Sequence, residues 1–268
     1  MIRSLPVPSA ISEYAQLIVK NARFLEIKAF HTSGFELGIP HGMDTVFVSA
    51  RGKGFLPCHI ILTQKDYDLF VSDAEPGDII SCPDHGKIRV FNPVFSGRTG
   101  YPANKDHLAT IYEMIFEKTG GLKLSLKDLL NKDWKGSGAF QHKEGSFSQE
   151  SSYWLLGRGE GSTPAGDDML IGALAVHSAY GRLSCLAAYL KDLEPLFDER
   201  TTPMSAAYLR YALRGKFGSH LLSLVQHIFS ETGPHSLTLR RVNHMMKHGA
   251  SSGLDTLAGV FLACTHIQ

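Results

Sequence analysis

The spacing of apolar positions along the chain changes near residue 100. Before it, short β-branched or aromatic runs alternate with turn residues: Phe24–Ala29, Thr45–Ala50, His59–Thr63, Ile79–Cys82 and Lys87–Phe91. Breakers divide them, among them Gly38-Ile39-Pro40, Gly52-Lys53-Gly54, Glu75-Pro76-Gly77-Asp78 and Asp84-His85-Gly86. Short strands at this spacing predict a small β-barrel or sandwich, and Asp84-His85-Gly86 reads as a hairpin loop. Beyond residue 100 the period becomes helical. Leu108, Ile111, Tyr112, Ile115 and Phe116 fall on one amphipathic face, stopped by Gly120-Gly121. A shorter helix starts at Ser125, and the polar, Gly/Ser-rich residues 131–150 predict a long loop. Helices are expected at roughly 166–180, 183–194, 203–214, 218–231, 236–247 and 253–266. The expected fold class is α+β, with a β-rich, barrel-like domain over residues 1–102 and an all-helical domain over 103–268.

Composition narrows the classes. At 268 residues the chain can bury a full core as one or two domains. Hydrophobic content of 43% and charged content of 20% fit a globular protein. A formal net charge of +1 gives no steering toward nucleic acid or membrane. The four cysteines (Cys58, Cys82, Cys185, Cys264) lack CxxC spacing, which argues against a disulfide framework or zinc ribbon. The N-terminus lacks a signal-peptide apolar core, and no apolar run reaches the ~18 residues of a membrane helix. A cytoplasmic location is expected.

The densest chemical signal is the stretch 157–172, Gly-Arg-Gly-Glu-Gly-Ser-Thr-Pro-Ala-Gly-Asp-Asp-Met-Leu-Ile-Gly. Such backbone-permissive residues suit a loop that approaches a ligand closely. Residues 253–259, Gly-Leu-Asp-Thr-Leu-Ala-Gly, share the pattern Gly-x-Asp-x-Leu-x-Gly with residues 166–172, and both follow small hydroxylated residues. Two such loop-to-helix junctions suggest two halves of one pocket. A helix start exposes unpaired N–H groups and the positive end of a dipole, an anion site in waiting. Ser162, Thr163, Ser251 and Ser252 could add hydroxyl donors. Gly159, Gly161, Gly166 and Gly253 would let a ligand approach.

Acidic residues complete the constellation. One aspartate suffices to cap a helix, so of Asp167 and Asp168 one is expected to cap and the other to face the pocket. Asp168 and Asp255 hold the same place in the repeated pattern and form the expected pocket pair. Facing carboxylates could hold a divalent cation, receive amide N–H groups or move protons. Together Asp167, Asp168 and Asp255 are the catalytic candidates. Mg²⁺ is the candidate ion, although no cofactor is implied with certainty and no metal-ligand set is assigned. Gly172 and Gly259, each one turn into its helix, suggest a close crossing of the two helices. Capping accounts fully for Thr202-Pro203, while Ser205, in the same first turn, could face the pocket. His244 and His248 stand at i, i+4 without HExxH, so a solvated or capping role is expected of them. The chain carries no Walker loop.

These residues resemble the AllH-like family, filed as a domain of unknown function or as a carboxylase. The resemblance is carried by Gly159, Gly161, Thr163, Pro164, Gly166, Asp167 and Asp168. It continues through Thr202 and Ser205, then Gly249, Ser252, Gly253, Asp255, Leu257 and Gly259. Ser162 stands where the family often has Leu, and Leu254 where it often has an aromatic residue. The resemblance implies a subunit of an oxamate carbamoyltransferase in allantoin breakdown, which interconverts oxalurate plus phosphate with oxamate plus carbamoyl phosphate. It implies ligand-binding roles for the loop residues and a small anionic substrate: phosphate, carbamoyl phosphate or an oxamate-like molecule. It also implies partner subunits. The residues leave two alternatives open, a helical metal-dependent hydrolase and a non-catalytic structural or regulatory subunit.

Overall fold

A computed structural model describes residues 1–40, 42, 44–50, 54–82, 88–96, 102–130, 147–181, 183–230 and 234–266. The chain divides into two compact units, Met1–Pro93 and Val94–Gln268.

The first unit is built on an eight-stranded sheet, β1 (Ile2–Ser4), β2 (Ala10–Ser12), β3 (Phe24–His31), β4 (Gly34–Gly38), β5 (Thr45–Ala50), β6 (His59–Leu62), β7 (Ile79–Ser81) and β8 (Arg89–Phe91), in the order β1-β7-β3-β4-β5-β6-β2-β8. The sheet curls into a half-barrel, roughly consistent with the barrel-like domain expected. Strand β5 lies inside the sheet, antiparallel to β4 and parallel to β6, and buries Val46, Phe47 and Val48. Its continuous apolar run is what a strand covered on both faces requires. Two helices that the β-rich reading did not include interrupt the strands: α1 (Glu13–Asn21) and α2 (Gln64–Val71). Each starts on a side-chain cap, with Ser12 accepting from Ala15 N–H and Thr63 from Asp66 N–H. The hairpin expected at Asp84-His85-Gly86 falls outside the described residues, but its flanking strands are not neighbours. β7 pairs with β1 and β3, and β8 pairs in parallel with β2 at the far end of the order.

The second unit is helical apart from an isolated bridge between Thr119 and Ser125 among the described residues. Its helices are α3 (Lys105–Ile115), α4 (Leu126–Leu130), α5 (Gln149–Leu155), α6 (Ala165–Ala179), α7 (Leu183–Leu193), α8 (Phe197–Arg200), α9 (Pro203–Leu213), α10 (Ser219–Ile228), α11 (His235–Met246) and α12 (Ser252–His266). Of the stretch expected as a loop over 131–150, residues 131–146 lie outside the described residues, and Gln149 and Glu150 already belong to α5.

Helices α6 and α12 form the centre of this unit. In α6 only Ile171 and Ser178 escape full burial, as expected of a helix apolar on every side. The two helices cross backbone to backbone. A Cβ at Gly172 would strike the Thr256 carbonyl oxygen, and one at Gly259 would strike that of Met169. These glycines are the contact itself.

Candidate functional site

The crossing brings the two helix starts together. The Thr163 hydroxyl before α6 lies 2.8 Å from the Ser252 hydroxyl at the start of α12. Ahead of α6, Gly157, Gly159 and Gly161 have positive φ. Gly157 needs both that backbone and the absence of a side chain, because a Cβ there would strike the Arg200 carbonyl oxygen. At Gly161 the surrounding space is open.

The three aspartates are dealt three different environments. Asp167 is fully buried and accepts from Gly157 N–H (2.8 Å), the Ser205 hydroxyl (2.7 Å) and the Thr201 hydroxyl. It is a latch between the glycine loop and the start of α9 rather than a helix cap. Burial still pushes its pKa up, against these three donors. Ser205 therefore faces Asp167 and not a pocket. Thr202 caps α9 by accepting from Ser205 N–H (3.1 Å), and its own hydroxyl donates to the Ser162 carbonyl (2.5 Å).

Asp255 accepts Gly121 N–H on both oxygens, each at 3.1 Å. Burial raises its pKa, while that N–H and the Ser251 hydroxyl oppose the rise. Gly120-Gly121 does not end the helix as expected, because α3 stops at Ile115 with Phe116 as its C-cap; the doublet instead contacts Asp255. A Cβ at Gly120 would strike an Asp255 carboxylate oxygen. The glycine doublet was the available sequence signal for this contact, but nothing local tied it to residue 255.

Asp168 is the member of the cluster left with an unpartnered oxygen. Its side chain is buried, and its Oδ2 has no hydrogen-bond partner among the described residues. Burial raises its pKa well above the ordinary carboxylate value. The Ser252 and Thr163 hydroxyls oppose this, and the neighbouring Asp255 and Asp167 charges add to it. Burial favours the neutral carboxyl over the carboxylate. The protonated carboxyl has one O–H to donate and keeps acceptor capacity.

Other expected donors are already spent. Gly166 N–H donates to the Arg158 carbonyl (2.8 Å), and Asp167 and Asp168 N–H to Pro164 (3.0 and 3.1 Å). On α12, Gly253 N–H donates to His248 (3.0 Å) and Asp255 N–H to Ser251 (3.0 Å). Gly166 and Gly253 pack against the Leu155 and Met245 carbonyls, so neither lines an open space. Any backbone anion contact falls to the segments around Ser162-Thr163 and Ser251-Ser252. The cavity beside Asp255 measures about 10 Å³ and lies against Gly120, Met169 and Leu254; Asp168 is not in its lining. That is space for one water at most. The open side of the junction is the loop, where Gly159, Gly161 and Ser162 are exposed.

The His244–His248 pair packs against His220, with ring centroids 5.6 and 5.0 Å from it. Burial, then its two histidine neighbours, pushes His220 down to about 4. Among the described residues no group of three His, Cys, Asp or Glu is placed to hold a metal ion. Cys58, Cys82 and Cys264 are free thiols, and no helix among the described residues is long and apolar enough to cross a membrane.

No solved structure matches the chain. Residues 155–264 match the family described as oxamate carbamoyltransferase subunit AllH. The match spans the glycine loop, the Asp167 latch, the α9 start and the α6–α12 crossing, and over these residues the chain is AllH-like.

Proposed function

We propose that the chain serves as the AllH-like subunit of a carbamoyltransferase-type enzyme. In this reading the α6–α12 junction binds a small substrate that carries a carbamoyl or primary amide group. The observation that carries it is Asp168, buried, pushed toward its neutral form and holding an unpartnered oxygen beside two hydroxyls. A neutral carboxyl matches the edge of a primary amide: its O–H donates to the amide carbonyl, and its other oxygen accepts an amide N–H. Oxamate and carbamoyl phosphate both present that edge. Neutrality also removes the repulsion a carboxylate would exert on their anionic ends. Those ends would lie toward the exposed loop, within reach of Thr163, Ser252 and the backbone around Ser162. Gly159 and Gly161 would allow the approach, with Asp255 and Ser251 bordering the site. Asp167 and Ser205 position the loop and do not touch the ligand. Partner subunits, a cytoplasmic location and a place in allantoin breakdown belong to the same reading.

Calorimetric titration of the full chain with oxamate and with carbamoyl phosphate tests it. Binding should weaken in Asp168→Ala and in Thr163→Val. It should survive in Asp168→Asn, because an amide also offers a donor and an acceptor. Loss of binding in Asp168→Asn, with tight binding of Mg²⁺ alone to the wild type, would instead support the metal-dependent hydrolase. If neither substrate binds at millimolar concentration, the reading falls.

A further inference from the structure

A second recess is lined by residues adjoining the Asp167 latch. It is a cleft of about 530 Å³ whose lining includes Tyr153, Trp154, Arg158, Leu193 and Arg200, a volume within the range of small-molecule sites. Successive residues of α5 supply its two aromatic rings, and each carries a guanidinium. Arg158 stacks over Trp154 at 4.2 Å, and Arg200 over Tyr153 at 4.1 Å. The Arg158 Nε donates to the Trp154 carbonyl (3.0 Å), which fixes the group and leaves its terminal nitrogens free of that bond. Neither arginine has an ion pair with a carboxylate among the described residues, and Glu150 is the acidic side chain in the lining.

The glycine-rich motif builds this cleft. Asp167 accepts from Gly157 and Thr201, the direct neighbours of Arg158 and Arg200. Gly157 is pressed against the Arg200 backbone. The same buried carboxylate therefore holds the chain beside both cations. A guanidinium fixed on an aromatic face loses less freedom on binding, and its planar fork matches an oxyanion.

We propose that this cleft is a binding site for a small oxyanion, a phosphate or a carboxylate, held between Arg158 and Arg200. It is independent of the reading of the Asp168 junction, which recognises an amide edge. Trp154 is one of two tryptophans, the other being Trp134. In a full-length Trp134→Phe chain its fluorescence therefore reports on the cleft. The probes are inorganic phosphate in one arm and acetate in the other, with chloride at matched ionic strength as the control. At least one oxyanion should give a saturable change that chloride does not reproduce, and the responding arm identifies the class. Affinity should fall roughly tenfold or more in Arg158→Gln and in Arg200→Gln and persist in Asp168→Ala. Circular dichroism checks the fold of each variant. Should a glutamine variant unfold, the corresponding lysine variant replaces it and should also bind more weakly, since lysine lacks the fork. No saturable response to either oxyanion, or equal affinity in the arginine variants, overturns the proposal.

Discussion

Replacing Gly259 by alanine tests the close crossing of α6 and α12. The added Cβ would sit 2.7 Å from both the Cα and the carbonyl carbon of Met169, and closer still to its oxygen. Ordinary carbon contacts lie near ~3.5–4.0 Å, so the helices would have to part by roughly 1 Å. The neighbour is backbone, so no side-chain rotation relieves the clash. Two effects then compete. Alanine is the better helix former, and this favours the variant by about 0.5–1 kcal/mol. Prising apart a packed seam typically costs about 1–3 kcal/mol, occasionally more. Packing wins, and a net loss of about 1–2 kcal/mol is expected. For a domain of this size that lowers Tm by several degrees, at about 2–4 °C per kcal/mol. Thermal unfolding followed by circular dichroism measures it. Thr265→Ala, at an exposed position of the same helix, should change Tm little and serves as the control. A Gly259→Ala chain as stable as the wild type, or more so, would refute the crossing geometry.

Three further outcomes follow from the same structure. Asp168 has a folded-state pKa raised above its ordinary 3.8; the folded chain therefore holds this proton more tightly than the unfolded one, and stability falls as pH rises through that window. Asp168→Asn should gain stability over the wild type progressively as pH rises from about 4, and urea unfolding across pH would expose a flat difference if the burial argument is wrong. Thr202→Ala should cost about 0.5–2 kcal/mol through the lost cap of α9, and an unchanged urea midpoint would contradict that role. A fragment spanning residues 94–268, if it folds, should give a helix-dominated circular dichroism spectrum, and a strongly β spectrum would refute this division of the chain.

The parts of this molecule legible in the sequence are those set by local period and local repetition. The repeated Gly-x-Asp-x-Leu-x-Gly announced both α6 and α12, and its glycines pointed to their crossing. Thr202-Pro203 announced the start of α9. The short helices α1, α2 and α5 have nine, eight and seven residues, below the window in which helical periodicity is distinct. Sheet order was not legible either, because β7 and β8 are adjacent in sequence but choose partners through distant pairings. The same holds inside the site. Asp167 was separated from Asp168 in role by Thr201 and Ser205, 34 and 38 residues away. Asp255 is held by Gly121, 134 residues away. An adjacent acidic pair shows in a sequence; which of its members is satisfied depends on groups that only the fold delivers.

A crystal structure of the full chain soaked with oxamate tests the central claim most directly. The amide edge of the ligand should lie against the Asp168 carboxyl, with Thr163 and Ser252 within hydrogen-bond distance and the carboxylate end toward the exposed loop at Gly159–Ser162. Oxamate bound elsewhere with the Asp168 oxygen still unpartnered, or a metal ion on Asp168 in its place, would contradict the account.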